Sequence, residues 1–509
     1  MLISGKSYIK LSADNVLKRA YQRNIYMLLP LKIKENSKFR GRNEEQKRML
    51  ALTSGAKACI IVVHGRRRVG KTELIEQTLR RRKLLKFEGL EKQSKKKQLD
   101  QFARTLKQYI KDKLAGDFRF KSWVEAFETV ARYVKDGKYT LYLEELQWLA
   151  NYQNELVSSF KHVWDNHFRH NPKFVVIMCG SAPSFMINKV LHSSALYNRT
   201  EENFPVRPLT FPAVKEFFGK RYDNFEIMDA MLTVGAIPPY LEKLREAPSV
   251  FIGLAQHSFK KDAYFAQEYD RIFTSSMADN PDYKQILKYL ATRSFSTKNE
   301  IADTLKRSNG GGLSDLLKDL EQTGFIISYS PLDKDNNSRL KRYQIADPYI
   351  RFYQHFIYPL IGRIKKGNYD LSPERALNNM NWQSWMGLNF EWWLRQQSLV
   401  LARILGFEGV HYDSGAYFSR ASPKTQIDIV FERADRVTTL IEAKYTREPV
   451  GTEVIQNFKR KCELYPRKNR SIQKVLVSAA GATSELIRTG YFDRVIQLDE
   501  LAKPEMWQL

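Results

Sequence analysis

The sequence is poor in cysteine: three residues in 509, Cys59, Cys179 and Cys462, far apart from one another. That spacing builds no disulfide framework and offers no metal-ligand pair. Long apolar runs are missing. Ala58–Val63 and Phe174–Cys179 are among the longest, far short of the ~20 residues a membrane span needs. The opening Met1-Leu-Ile-Ser-Gly-Lys6 has no apolar core of a secretory signal. These absences predict a cytoplasmic chain that does not engage the membrane. With 25 Gly and 18 Pro, glycine and proline are too few for a collagen- or mucin-like composition, and 12% aromatics is too many for a disordered chain.

Acidic residues are also scarce, 56 Asp+Glu against 83 Lys+Arg, for a net charge of +27. The excess is uneven: residues 1–113 hold 30 Lys+Arg and 10 Asp+Glu. Such a field draws polyanions, and nucleic acid, DNA before RNA, is the partner it predicts. A solvated basic surface is the alternative reading.

The patterning predicts an α/β protein. Apolar strands are expected at Ala58–His64, Leu84–Glu88, Tyr139–Leu143 and Phe174–Gly180, with helical segments between them, the signature of a parallel sheet. The expected organisation is a basic N-terminal arm over 1–37, with a helix near 13–28, and a P-loop core over 38–210. A helical lid over 211–280, a winged helix-turn-helix over 281–358 and a linker over 359–381 follow. A second α/β domain is expected over 382–509.

The strongest motif is Gly65-Arg66-Arg67-Arg68-Val69-Gly70-Lys71-Thr72, which fits the phosphate-binding loop at every fixed position. It follows a strand and opens a helix, the context that loop requires. The glycines let backbone N–H groups wrap phosphates, and the helix N-terminus adds partial positive charge. Lys71 is expected on the β- and γ-phosphates of ATP and Thr72 on Mg²⁺. Tyr139-Thr-Leu-Tyr-Leu143-Glu144-Glu145 supplies the acidic strand end. Glu144 is expected to hold Mg²⁺ through water and Glu145 to orient the attacking water. Asp is usual where Glu144 stands, so Glu144→Asp is expected to raise turnover. Ser181, at the end of Phe174–Gly180, is a candidate γ-phosphate sensor. Arg199 is a candidate to reach a neighbouring subunit's nucleotide in a homo-oligomer. A structural role is open for both.

Several segments together resemble the archaeal-type ATPase family, of the signal-transduction NTPase branch of the AAA+ class. They are Phe39-Arg-Gly41-Arg42-Asn-Glu-Glu45, the phosphate loop, Leu143-Glu-Glu145-Leu-Gln-Trp148, Gly180-Ser181 and Gly235-Ala-Ile-Pro238-Pro-Tyr240-Leu. The resemblance runs over roughly residues 38–350. It implies an adenine-facing segment at Phe39–Arg42 and a lid beginning at Gly235–Pro238.

Helices at Tyr283–Thr292, Thr297–Leu305 and Leu313–Thr323, then strands at Gly324–Tyr329 and Leu340–Ile345, give the order of a winged helix-turn-helix. Residues 281–344 hold 11 basic and 8 acidic residues, less basic than a DNA reader usually is. Two roles stay open: DNA contact through Lys334, Arg339, Lys341 and Arg342, or packing between domains.

In the last segment, strands Thr425–Phe431 and Val437–Tyr445 form a hairpin that can bring Asp428 near Glu442, with Lys444 on the face of Glu442. Glu391 lies on an upstream helix. Carboxylates of this kind hold Mg²⁺, Asp428 and Glu442 foremost, and a lysine beside them activates water or steadies phosphorane charge. Glu391, Asp428, Glu442 and Lys444 form the constellation of the PD-(D/E)xK, restriction-endonuclease-like fold. The segment also resembles a domain of unknown function fused behind archaeal-type ATPases.

Together these readings predict an ATP-hydrolysing protein acting on nucleic acid, its metal-dependent nuclease domain controlled by nucleotide state. The alternative is a nucleotide-dependent regulatory or DNA-binding switch whose nuclease-like domain is catalytically silent.

Overall fold

A computed structural model of the chain describes residues 28–110, 117–276, 280–307, 309–330, 332, 341–378, 381–419, 424–466 and 469–508. The arm helix expected near 13–28 falls outside them except for its last residue, as do Lys334 and Arg339. The chain divides into two compact units, Met1–Arg66 with Gly70–Arg207, and Arg67–Val69 with Pro208–Leu509.

The first unit is built on five parallel strands: β1 (Cys59–His64), β2 (Lys83–Glu88), β3 (Tyr139–Glu144), β4 (Val175–Gly180) and β5 (Thr200–Pro205). They lie in the order β2-β3-β4-β1-β5. β1, β3 and β4 are buried at every position, as strands covered on both faces must be. That is why they read as unbroken β-branched and Leu-rich runs. β5 escapes such a reading. Its Thr-Glu-Glu opening is partly exposed and its register to β1 shifts between Ile60 and Ile61.

Helices Lys95–Tyr109 and Trp123–Tyr133 start where Ser94 and Ser122 cap them. They press an aromatic core against the sheet. Phe102 stacks on Phe87, with ring centroids 3.9 Å apart, and meets Trp123 and Phe127 edge-on. The last part of the expected arm pairs with this unit: Leu29 N–H donates to Tyr109 O and Leu31 N–H to Leu84 O.

In the second unit, residues 211–276 form five helices, with none of the chain's strands among them. There follow helices Pro281–Ala291, Lys298–Leu305 and Gly311–Gln322, and a small antiparallel sheet. Its strands are β6 (Ser296–Thr297), β7 (Ile326–Tyr329) and β8 (Arg342–Ile345), in the order β6-β8-β7. Thr297 and Glu300 close a capping box on the second helix. The expected linker contains short helices, and Ile364 and Leu377 within it are buried.

The last segment is a mixed five-stranded sheet in the order β13-β12-β11-β10-β9, where β9 is Tyr412–Ser419, β10 Thr425–Arg433, β11 Val437–Lys444, β12 Ser471–Ser478 and β13 Arg494–Ile496. β9, β10 and β11 are antiparallel, and β12 and β13 continue parallel to β11. The expected hairpin is the β10–β11 pair. β9 and β13 were not readable from pattern, because β9 carries Gly and Ser on an edge and β13 is three residues long.

Candidate functional site

The carboxyl ends of β1, β3 and β4 carry the first group of residues. Beyond β1, Gly65 runs so close to Val206 O that a Cβ there would collide with it. Gly70, at φ 92°, ends the loop in a left-handed turn and opens the helix α1 (Lys71–Leu79). The Lys71 ammonium is buried and donates to the carbonyls of Gly65 (2.9 Å) and Arg66 (3.0 Å). Val69 is fully buried. Arg68 has φ 68°. Its guanidinium donates to Tyr264 Oη at 2.8 Å and pairs with the fully buried Glu268, all within the second unit. No role for Arg67 emerges from its surroundings.

Glu144, at the end of β3, is buried and triply held. Its Oε1 accepts from the Thr72 hydroxyl and from Tyr142 Oη (2.8 Å), and its Oε2 pairs with Lys86 Nζ at 2.6 Å. Lys86, on β2, also bonds Glu76 at 3.0 Å. Burial disfavours the Lys86 ammonium, but Glu144 and Glu76 outweigh burial and raise its pKa. Burial and Glu144 push the neighbouring Glu88 carboxyl up.

Glu145 adopts φ 48° at the strand's end. Its Oε2 accepts from Ser181 N–H (3.0 Å), Ser181 Oγ (2.7 Å) and Gln147 Nε2 (2.7 Å). Gly180 permits this closeness, since a Cβ there would meet Met186 Sδ at 2.5 Å and Gln147 Oε1 at 2.7 Å. Lys71, Thr72, Glu144, Glu145 and Ser181 thus belong to one sheet edge. Arg199 is bound within its own unit, its Nε and Nη2 to Asp165 at 2.8 and 3.0 Å.

Sequence reasoning missed Lys86, Tyr142 and Gln147. The signal was present for Lys86, a cation at an interior position of the apolar run Leu84–Phe87.

The second group lies on β10, β11 and two helices, α3 (Trp382–Gln396) and α4 (Glu453–Leu464). Asp428 is one register step from the Ile429–Ile441 pair, opposite Glu442, where β10 shifts register against β9. Bulges of this kind re-aim side chains beside functional sites. Asp428 Oδ2 accepts from Ala443 N–H at 2.9 Å. Glu442 is buried, its Oε1 bonded to Lys444 Nζ (2.8 Å) and its Oε2 to Lys461 Nζ (2.7 Å). From α3, Glu391 meets Arg395 at 3.4 Å, and Arg395 Nε donates to Asp428 O at 2.9 Å.

Burial, then the Asp428 charge, lifts the Glu391 carboxyl to about 7, against the pull of Arg395. Burial and Glu442 raise Asp428 in the same way. The Lys444 ammonium is disfavoured by burial, but Glu442 more than compensates and raises it. Glu391, Asp428, Glu442 and Lys444 therefore form one electrostatic cluster. Lys461 and Arg395 were not singled out. Arg395, four residues after Glu391 on one helix, was findable as an i,i+4 pair.

The two donor sets differ in what surrounds their carboxylates. The Thr72 hydroxyl beside the Glu144 carboxylate fits a hard cation that takes a few protein oxygens and fills the rest with water and phosphate. In the second cluster both Glu442 oxygens are held by lysines. Among the described residues, no group of three or more His, Cys, Asp or Glu is arranged to hold a metal ion. Lys444 and Lys461 thus stand at the Glu442 oxygens that a cation would take.

A parallel sheet with a glycine-bounded loop after β1, an acidic end on β3 and a polar end on β4 between them defines a P-loop, ATPase-like nucleotide-binding protein. Residues 39–244 match the family described as an ATPase domain predominantly from Archaea, which supports ATPase activity. An uncharacterized protein of Methanocaldococcus jannaschii is 27% identical over 355 residues, 69% of this chain and 75% of that protein. A solved Walker-type ATPase of Pyrococcus abyssi is 18% identical with a TM-score of 0.46, covering 65% of this chain and 99% of that one. The ORC2 protein of Aeropyrum pernix, in ADPNP and ADP complexes, is 12% identical with a TM-score of 0.38, covering 68% and 97%. Among the described residues, no helix is long and apolar enough to cross a membrane.

Proposed function

We propose that the chain hydrolyses ATP at the phosphate loop and acts on nucleic acid, with phosphodiester cleavage at the carboxylate–lysine cluster under nucleotide control. The observation that carries this reading is the gathering of Lys71, Thr72, Glu144, Glu145 and Ser181 at one sheet edge. The second unit adds Glu391, Asp428, Glu442 and Lys444 in one cluster.

At the loop, Lys71 leaves its carbonyl partners for the nucleotide phosphates. Thr72 and Glu144 are the residues that would hold Mg²⁺. The ion, when bound, neutralises charge on the β- and γ-phosphates. Glu145 orients the attacking water, and its bond to Ser181 ties that water to the γ-phosphate position. The excess of 83 Lys+Arg over 56 Asp+Glu supports a polyanionic partner.

In the second cluster, Glu391 at about 7 gains or loses a proton near neutrality, as a general acid or base must. Lys444 offers a cation to a phosphodiester. Residues 281–358 are proposed as a winged helix that carries nucleotide state to this domain, and Arg199 as a residue for a neighbouring copy.

One observation favours a second reading, a switch whose nuclease-like domain is silent: Glu442 is closed off by Lys444 and Lys461. Cleavage of linear duplex, circular and single-stranded DNA and of RNA decides between them. The assay runs with Mg²⁺ or Mn²⁺, with and without ATP, for wild type, Lys71→Ala and Lys444→Ala. The proposal expects cutting that Lys444→Ala abolishes and whose ATP response Lys71→Ala removes. No cutting under any condition, with ATP turnover intact, selects the silent switch.

A further inference from the structure

Tyr445 follows Lys444 directly, just beyond the end of the strand that carries the Glu442-Ala443-Lys444 triplet. Its environment comes from outside the C-terminal sheet. The Tyr445 hydroxyl donates to Asp229 Oδ1 at 2.5 Å and approaches Phe225 O at 3.3 Å. Both residues belong to the helix α2 (Asn224–Thr233), more than two hundred residues earlier in the chain. Asp229 Oδ2 accepts from Arg447 Nη2 at 3.1 Å, so one carboxylate grips both ends of the segment Tyr445–Arg447. The Arg447 guanidinium lies 5.3 Å from the Phe225 ring centroid.

On its other side the Tyr445 ring packs on Phe390, at 5.1 Å, the residue before Glu391. Lys444 itself is fixed at its carbonyl by Ala479 N–H (2.9 Å) and at its ammonium by Glu442. The residue next to the lysine is therefore held from a helix of the 211–276 segment, while its ring supports the helix that bears Glu391.

We infer that Asp229 is a positioning residue for the carboxylate–lysine cluster, acting through the Tyr445 hydroxyl to fix Lys444 and Glu391. The inference rests on the cleavage reading above. The helix at 224–233 then does more than pack: the cluster is complete only with a residue supplied from outside its own domain. Losing the grip leaves Lys444 held only by Ala479 and Glu442 and loosens the Tyr445 ring against Phe390, which lowers the rate of the chemical step and leaves substrate binding unchanged.

The test is cleavage of linear duplex DNA by the full chain, with kcat and KM measured for wild type, Tyr445→Phe, Asp229→Ala, the double variant and Asp229→Asn. Tyr445→Phe keeps the ring and removes only the hydroxyl. Asp229→Asn keeps an acceptor oxygen. The inference expects kcat to fall about tenfold in each of the first two at unchanged KM. It expects the double variant to be no worse than the poorer single, since the pair acts as a unit. Asp229→Asn should lie within about twofold of wild type, and ATP turnover should be equal in all five. Wild-type cleavage by Tyr445→Phe and Asp229→Ala overturns the inference and leaves the cleavage reading standing. So does an Asp229→Asn variant as slow as Asp229→Ala. A wild type that cuts nothing under any condition overturns both.

Discussion

Glu144 is one methylene longer than the usual Asp, and its surroundings use that length. Thr72, Tyr142 and Lys86 all meet its carboxylate. Reading the residue alone predicts that Glu144→Asp raises turnover. With its partners in view the expectation reverses. A shorter side chain withdraws from all three, and turnover should fall by about 10- to 100-fold. Steady-state hydrolysis checks this, and a rise would contradict it. Lys86 belongs to the same argument. Lys86→Met leaves Glu144 and Glu76 facing each other without their shared cation and should cost about 1–3 kcal/mol of stability in denaturant melts. An unchanged midpoint would show the pair to be idle. These two residues also mark what a sequence can tell. The acidic strand end was legible because its position after an apolar strand is fixed. Lys86 stands out as a cation inside an apolar run, but its pairing with Glu144 was not legible, because nothing in a linear reading says which strand lies beside β3.

At the scale of elements, legibility followed burial. β1, β3 and β4 are covered on both faces and announce themselves as apolar runs. β5 and β9 lie at sheet edges with polar residues, and no run reveals them. Among the helices, α3 places Trp392 and Trp393 in the core. The contact of α2 with the end of β11 was invisible, since it joins residues far apart in the chain. It carries its own pH dependence. Burial raises Asp229 to about 6, with Tyr445 and Arg447 opposing only in part. The folded chain holds this proton more tightly than the unfolded one. Its contribution favours folding fully below about 3.8 and is lost as pH rises through about 6. Asp229→Asn removes that dependence. Relative to wild type the variant should gain up to about 1.4 kcal/mol per pH unit across that window and nothing further above it. Urea melts between pH 4 and 8 measure the difference. A difference flat with pH would contradict the burial argument.

For the whole molecule, the phosphate loop lies at the carboxyl ends of one parallel sheet, and the carboxylate–lysine cluster lies on a mixed sheet in the other unit. The α/β class with its parallel sheet and the phosphate loop were legible because a loop motif and its flanking strand and helix constrain one another. The second cluster was legible only as residue types at a spacing. Its lysine clasp on Glu442, through Lys461 of α4, depends on a helix packing that spacing cannot encode. The central proposal is that the chain hydrolyses ATP at the phosphate loop and acts on nucleic acid. Its most direct test is steady-state ATP hydrolysis by the full chain with and without linear duplex DNA, for wild type and Glu145→Gln, with ATP binding measured in parallel. The account predicts wild-type turnover that rises with DNA. It predicts turnover reduced by about 100-fold or more in Glu145→Gln with ATP binding retained. Equal turnover in the two proteins, or none in wild type under either condition, would contradict it.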